Sequence, residues 1–159
     1  MTRPVPPAAP LRVLICDDND MVRSALAAVV GAQPDLSLAG SAADAAEAIR
    51  LAAAGRPHVV VLDVRFPGGG PYAAQEIIRT VPGVRILVFS AYGDQGPRAE
   101  MAAAGVADYL VKGITNAQLL SRIRALGTEA VRSTSCAGEE GGDAGHERRG
   151  ALPPPRSQT

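Results

Sequence analysis

Short apolar runs alternate with longer stretches of helical periodicity through residues 11–126. The runs are LRVLIC (11–16), LSLAG (36–40), HVVVLD (58–63), VRILVFS (84–90) and DYLVK (108–112). They are rich in Val, Ile and Leu and too short for helices, which predicts strands. Between them, DMVRSALAAVVGA (20–32) places Met21, Ala25, Ala28 and Val29 on one helical face. SAADAAEAIRLAAAG (41–55) offers Ser41 as an N-cap, Asp44 three residues later and Gly55 as a C-cap. PYAAQEIIRTV (71–81) and GPRAEMAAAG (96–105) begin at or near Pro71 and Pro97, and the latter closes at Gly105. TNAQLLSRIRAL (115–126) carries a capping box, Thr115 with Gln118, and a stripe of Leu119, Leu120, Ile123 and Leu126.

Five β-α repeats predict an α/β fold, a doubly wound (βα)5 parallel sheet with helices on both faces. Right-handed crossovers leave few topologies. In the flavodoxin-like order 2-1-3-4-5, ligands bind beyond the carboxyl ends of strands one and three, where the strand order reverses. Residues 1–10 read as a disordered lead-in. Residues 127–159 have only Val131 and Leu152 as large aliphatics among glycines, PPP and mixed charge. They are expected to form a disordered tail, leaving one domain at 11–126.

Charge narrows the function classes. Sixteen basic and sixteen acidic residues cancel, which argues against a nucleic-acid surface or a polybasic membrane anchor. Neither a signal peptide nor a run of about 20 apolar residues is visible, and two cysteines make no disulfide framework. The expected location is the cytoplasm. Fifteen of the sixteen basic residues are arginine, so Lys112 is the only lysine.

Polar groups gather at the strand ends. Asp17 and Asp18 follow strand one, Asp63 ends strand three, Ser90 ends strand four and Lys112 ends strand five. Three carboxylates on one rim would repel unless a cation is bound, and hard oxygen ligands favour Mg²⁺. A carboxylate beside Mg²⁺, with a hydroxyl and an ammonium converging on it, suits phosphoryl transfer with the carboxylate as nucleophile. Taken singly, each has a plainer explanation. Asp17, Asp18 or Asp63 could be a turn or cap residue, Ser90 a loop cap, and Lys112 a solvated surface group. Their joint placement at four strand ends is the specific signal.

With DD after strand one, DVRFPGG after strand three, FSAY at strand four and YLVKG at strand five, residues 11–126 resemble the receiver domains of bacterial two-component response regulators. The resemblance implies that Asp63 is the phosphoacceptor for a sensor histidine kinase. It further implies that Mg²⁺ is bound by Asp18 and Asp63 directly, by Asp17 through water and by the Arg65 backbone carbonyl. Ser90 and Lys112 would contact the phosphoryl oxygens, and Tyr109 would rotate when Ser90 moves. Ala91 would leave room for the donor, while Arg65 and Tyr92 would border the site and influence the phosphoryl lifetime. Helix four, strand five and helix five would form the face that meets a downstream protein partner or a second copy in a homodimer. The style is that of receivers preceding LuxR-type helix-turn-helix domains, but residues 128–159 cannot form such a domain.

Gly113 stands where the family usually has proline, which leaves the local backbone open. A rival reading comes from DNDMV (18–22), which fits the DxDx[TV] signature of haloacid-dehalogenase-type phosphohydrolases, with Asp18 as nucleophile and Asp20 as acid/base. That reading lacks an acidic pair after Lys112 and does not explain Asp63. The glycines 68–70 lack the GxxxxGK pattern of a phosphate cradle and read as a flexible loop. A flavin or dinucleotide site would want glycines and hydroxyls after strand one, where CDDND carries the wrong charge.

Overall fold

The structure, a computed structural model, describes residues 9–91 and 95–150, with side chains described for 9–91 and 98–133. Residues 1–8 of the expected lead-in and 151–159 of the expected tail lie outside the described residues. Strands β1 (Leu11–Cys16), β2 (Leu36–Ala42), β3 (Val59–Leu62), β4 (Arg85–Ser90) and β5 (Asp108–Val111) alternate with five helices. These are α1 (Asp20–Gly31), α2 (Ala45–Gly55), α3 (Gly70–Thr80), α4 (Gln95–Ala103) and α5 (Asn116–Gly150). Every strand pair is parallel, in the order β2-β1-β3-β4-β5. That is the flavodoxin-like order the repeats predicted.

Because successive strand residues point to opposite faces, each strand feeds two cores. Leu14, Cys16, Val60, Leu62, Ile86 and Val88 face one side, under Ala48, Ala52, Ala73, Ala74, Ile77 and Met101. Val13, Ile15, Val59, Val61, Leu87 and Phe89 face the other, against Leu26 and Val30 of α1 and the Leu119, Leu120, Ile123, Leu126 stripe of α5. Each fully buried Leu or Ile contributes about 2 kcal/mol relative to exposure. This double burial is why the central strands read as nearly unbroken apolar runs.

Several local expectations are corrected. The buried face of α1 is not the Met21, Ala25, Ala28 stripe, since Met21 is 82% exposed while Leu26 and Val30 are buried. Val22, Leu26, Val29 and Val30 have the same i, i+4, i+7, i+8 spacing one residue on, and they offer more apolar area than alanines. Ser41 lies inside β2, and the cap of α2 is Asp44. Its carboxylate accepts from the Glu47 amide at 2.9 Å, and Glu47 Oε1 accepts from the Ala43 amide at 3.0 Å. Gly55 is still helical, and Arg56 takes the left-handed capping position at φ +46. The Arg12 Nε donates to the Arg56 carbonyl at 2.9 Å and holds it there.

The end of the folded body also moves. α5 runs through residue 126 to Gly150, and Ala130 continues its buried stripe one turn beyond Leu126. Arg85 donates to the Ser133 hydroxyl at 2.9 Å and faces Glu129 at 3.5 Å. Gly127 sits within the helix, and Leu11 packs directly on it: a Cβ there would lie 2.5 Å from a Leu11 methyl.

Candidate functional site

The sheet ladder itself aligns the site. The Asp17 amide donates to the Ala42 carbonyl at 3.1 Å, the Asp63 amide to the Cys16 carbonyl at 3.0 Å, and the Lys112 amide to the Ser90 carbonyl at 2.7 Å. These bonds link neighbouring strands one step past their last paired residues. Asp17, Asp63, Ser90 and Lys112 therefore leave the sheet at one carboxyl rim, and Asp18 lies beside them.

Three of the predicted residues close into a cluster. One carboxylate oxygen from each of Asp17, Asp18 and Asp63 lies within 4.8 Å of the others. Asp17 is 2% exposed, Asp63 is partly buried and Asp18 is open to solvent. Lys112 Nζ donates to Asp17 Oδ2 at 2.9 Å and stands 4.0 Å from Asp63 Oδ2. Asp17 Oδ1 accepts from the Asn19 amide at 2.9 Å, so both oxygens of Asp17 are engaged. Asp63 Oδ1 takes a long contact, 3.4 Å, from the Arg65 amide.

Burial pushes the Asp63 carboxyl above its usual range. Lys112 opposes that rise, Asp17 adds to it, the Arg65 amide opposes it and Asp18 adds to it. At an effective dielectric of 20, two charges 4.8 Å apart repel by about 3.5 kcal/mol. Three carboxylates and one ammonium leave a formal charge of −2, which a divalent cation would balance. Hard carboxylate oxygens gathered this closely suit a small divalent cation such as Mg²⁺.

Around the cluster, Ser90 is fully buried and Ala91 is exposed. Tyr109 is buried on β5, opposite Val88, with the Arg98 guanidinium 4.8 Å from its ring centre. The Arg65 side chain is exposed beside the site, and Tyr92 lies outside the described residues. Gly113 takes φ +118, and no described peptide bond is cis, which resolves the backbone after Lys112.

Two of the glycines 68–70 pack closely against their surroundings. A Cβ at Gly68 would lie 2.7 Å from Ala45 Cβ, and one at Gly70 would lie 2.6 Å from the Val64 carbonyl oxygen. Pro67 accepts from the Ala45 amide at 2.9 Å, so the segment after Asp63 is tied to α2. Gly68 and Gly70 permit this close approach.

Asp20 does not join the cluster. It is 85% exposed and paired with Arg23 at 2.5 Å, which removes the acid/base partner that the phosphohydrolase reading requires. Sequence reasoning missed Arg23 and the Asn19 cap. The Asp20–Arg23 i, i+3 spacing was the available signal for the first, and an Asn one residue before a helix for the second.

Residues 13–124 match the response regulator receiver domain family. The chain is 33% identical over 118 residues to the DNA-binding transcriptional activator DevR/DosR of Mycobacterium tuberculosis, covering 74% of this chain and 54% of that protein. It is 34% identical to the transcriptional regulatory protein LiaR of Bacillus subtilis, covering 90% of this chain and 69% of LiaR. Among solved structures, a LuxR-family two-component response regulator from Aurantimonas sp. SI85-9A1 is 30% identical, with a TM-score of 0.69 over 76% of this chain and 86% of that one. The response regulator domain of Thermotoga maritima CheB is 27% identical, with a TM-score of 0.68 over 75% of this chain and 97% of that one. The chain thus spans about half the length of DevR/DosR and nearly all of the isolated CheB domain.

Proposed function

Since the chain belongs to the response regulator receiver domain family of two-component systems, we propose that Asp63 is the carboxylate that carries its phosphoryl group. The carrying observation is the contrast among the three acids. Asp17 is buried with both oxygens bonded, and Asp18 is the solvent-exposed member. Asp63 is partly buried and faces the Lys112 ammonium across a long ion pair of 4.0 Å. It is the member that combines partial burial beside the Lys112 ammonium with an oxygen, Oδ1, whose contact is long.

A sensor histidine kinase would present a phosphohistidine. An Asp63 oxygen attacks phosphorus, the P–N bond breaks with its electron pair going to nitrogen, and the imidazole, already protonated on its other ring nitrogen, leaves neutral. Asp17, Asp18 and Asp63, together with the Arg65 backbone carbonyl, would hold Mg²⁺, which supplies positive charge beside the phosphoryl oxygens. Lys112 neutralises a phosphoryl oxygen and the Ser90 hydroxyl hydrogen-bonds another. Ala91 leaves the approach open, and Arg65 and Tyr92 border it and tune how long the acyl phosphate lasts. The domain catalyses its own phosphorylation and dephosphorylation and no other reaction.

Ser90 drawn toward the phosphoryl group, with Tyr109 following, would shift the population of the face built from α4, β5 and α5. That face would meet a downstream protein or a second copy, in the cytoplasm and without direct nucleic-acid contact. Incubation with acetyl phosphate and Mg²⁺, followed by intact-mass analysis, tests the assignment. Wild type gains one phosphoryl group, Asp63→Asn gains none, and Asp18→Asn gains it at least tenfold more slowly. A label mapped to Asp18, or an Asp63→Asn protein labelled like wild type, overturns it.

A further inference from the structure

We infer that Arg23 is a positioning residue for the cation site, and that its guanidinium fork holds the turn after β1 so that Asp17 and Asp18 face Asp63 while Asp20 is kept away. The inference rests on the reading of Asp17, Asp18 and Asp63 as a divalent-cation site. Three acids occur within four positions here, and charge alone does not select two of them.

The selection is visible in the hydrogen bonds. Arg23 Nη1 donates to the Asp17 backbone carbonyl at 2.8 Å, and Nη2 pairs with Asp20 Oδ1 at 2.5 Å. The Arg23 amide donates to the Asn19 carbonyl at 2.9 Å, and Asn19 Oδ1 accepts from the Val22 amide at 3.1 Å. The Asn19 amide in turn donates to Asp17 Oδ1. Residues 17–23 are thereby closed into one bonded unit, with Asp17 gripped by its backbone through Arg23 and by its carboxylate through Asn19 and Lys112. Arg23 is only 20% exposed, whereas the Asp20 it holds is 85% exposed.

Two consequences follow from this geometry. The fork reaches a carbonyl and a carboxylate three residues apart through two nitrogens held in one plane, a geometry that the single nitrogen of lysine does not reproduce. The pairing also neutralises Asp20, so the cluster keeps the −2 charge set by Asp17, Asp18, Asp63 and Lys112. Without Arg23, the Asp17 carbonyl loses this donor and Asp20 loses its partner. Removing groups that orient metal ligands typically weakens metal binding 10–100-fold.

The test is Mg²⁺ titration by calorimetry on the full chain at neutral pH, at a temperature where circular dichroism shows each variant folded. Arg23→Ala is expected to weaken Mg²⁺ binding at least about tenfold, and Arg23→Lys by a comparable factor. Asp20→Asn is expected to stay within about twofold of wild type. Should Arg23→Ala fail to fold, Arg23→Gln, which keeps one donor arm, takes its place with the same expectation. Wild-type affinity in a folded Arg23→Ala protein overturns the positioning role alone, as does full rescue by Arg23→Lys. A loss in Asp20→Asn as large as in Arg23→Ala makes Asp20 a ligand and also overturns it. A wild-type protein that binds no Mg²⁺ overturns the cation reading itself.

Discussion

Asp63 illustrates how a reactive group is held at a cost to the fold. Burial raises its pKa above the ordinary 3.8, chiefly by disfavouring the charged form. The folded state therefore holds its proton to higher pH than the unfolded chain does. Below about 3.9 both states are protonated and the group has no effect. As pH rises through the raised folded value, stability falls, and above it the penalty is complete. Asp63→Asn should therefore be more stable than wild type at pH 7 in EDTA, with the gain vanishing near pH 3. Adding Mg²⁺ should narrow the gap, since a ligand of the folded state stabilises only the protein that binds it. Urea midpoints at the two pH values, with and without Mg²⁺, measure this. A wild type more stable than Asp63→Asn at pH 7 without metal would contradict it.

At the scale of elements, the segment between β3 and α3 places Asp63 through close packing. Gly70 sits against the Val64 and Asp63 carbonyls, with its absent Cβ 2.6 Å from the first and 3.3 Å from the second. Gly70→Ala must push backbone, because neither contact is the tip of a flexible side chain. The expected loss is about 1–3 kcal/mol, accompanied by slower phosphorylation at Asp63 measured in the same samples. Unchanged stability and labelling would mean that the segment yields freely. This close approach was not legible in the GGG run, which composition presents as flexible. The face of α1 was likewise ambiguous, because Met21, Ala25, Ala28, Val29 and Val22, Leu26, Val29, Val30 satisfy one helical period equally. Only the sheet beneath selects between stripes 100° apart. The capping box of Thr115 and Gln118, by contrast, needs no tertiary partner, and it forms as the local sequence predicts.

For the whole molecule, the question is where the folded body ends. Ala130 is buried, and Arg85 reaches Ser133 and Glu129 from β4. Truncation after residue 126 should cost about 1–2 kcal/mol from one buried methyl and one or two polar contacts. Truncation after residue 133 should stay within about 0.5 kcal/mol of the full chain. Urea unfolding of the two truncated proteins distinguishes them, and equal stabilities would place the boundary at 126. The curated relatives carry further sequence beyond the matched region, since this chain covers 54% of DevR/DosR.

Sequence alone determined the order of strands and helices, the doubly wound sheet and the rim to which Asp17, Asp18, Asp63, Ser90 and Lys112 belong. The reason is that apolar periodicity and strand-end position are properties of neighbouring residues. Tertiary structure decided which α1 stripe is buried, that Asp44 rather than Ser41 caps α2, and that α5 packs past Gly127 under Leu11. It also paired Asp20 with Arg23, apart from the cluster of Asp17, Asp18 and Asp63. Each of these depends on groups brought together through space, where several local solutions were equally good and packing or charge pairing chose one.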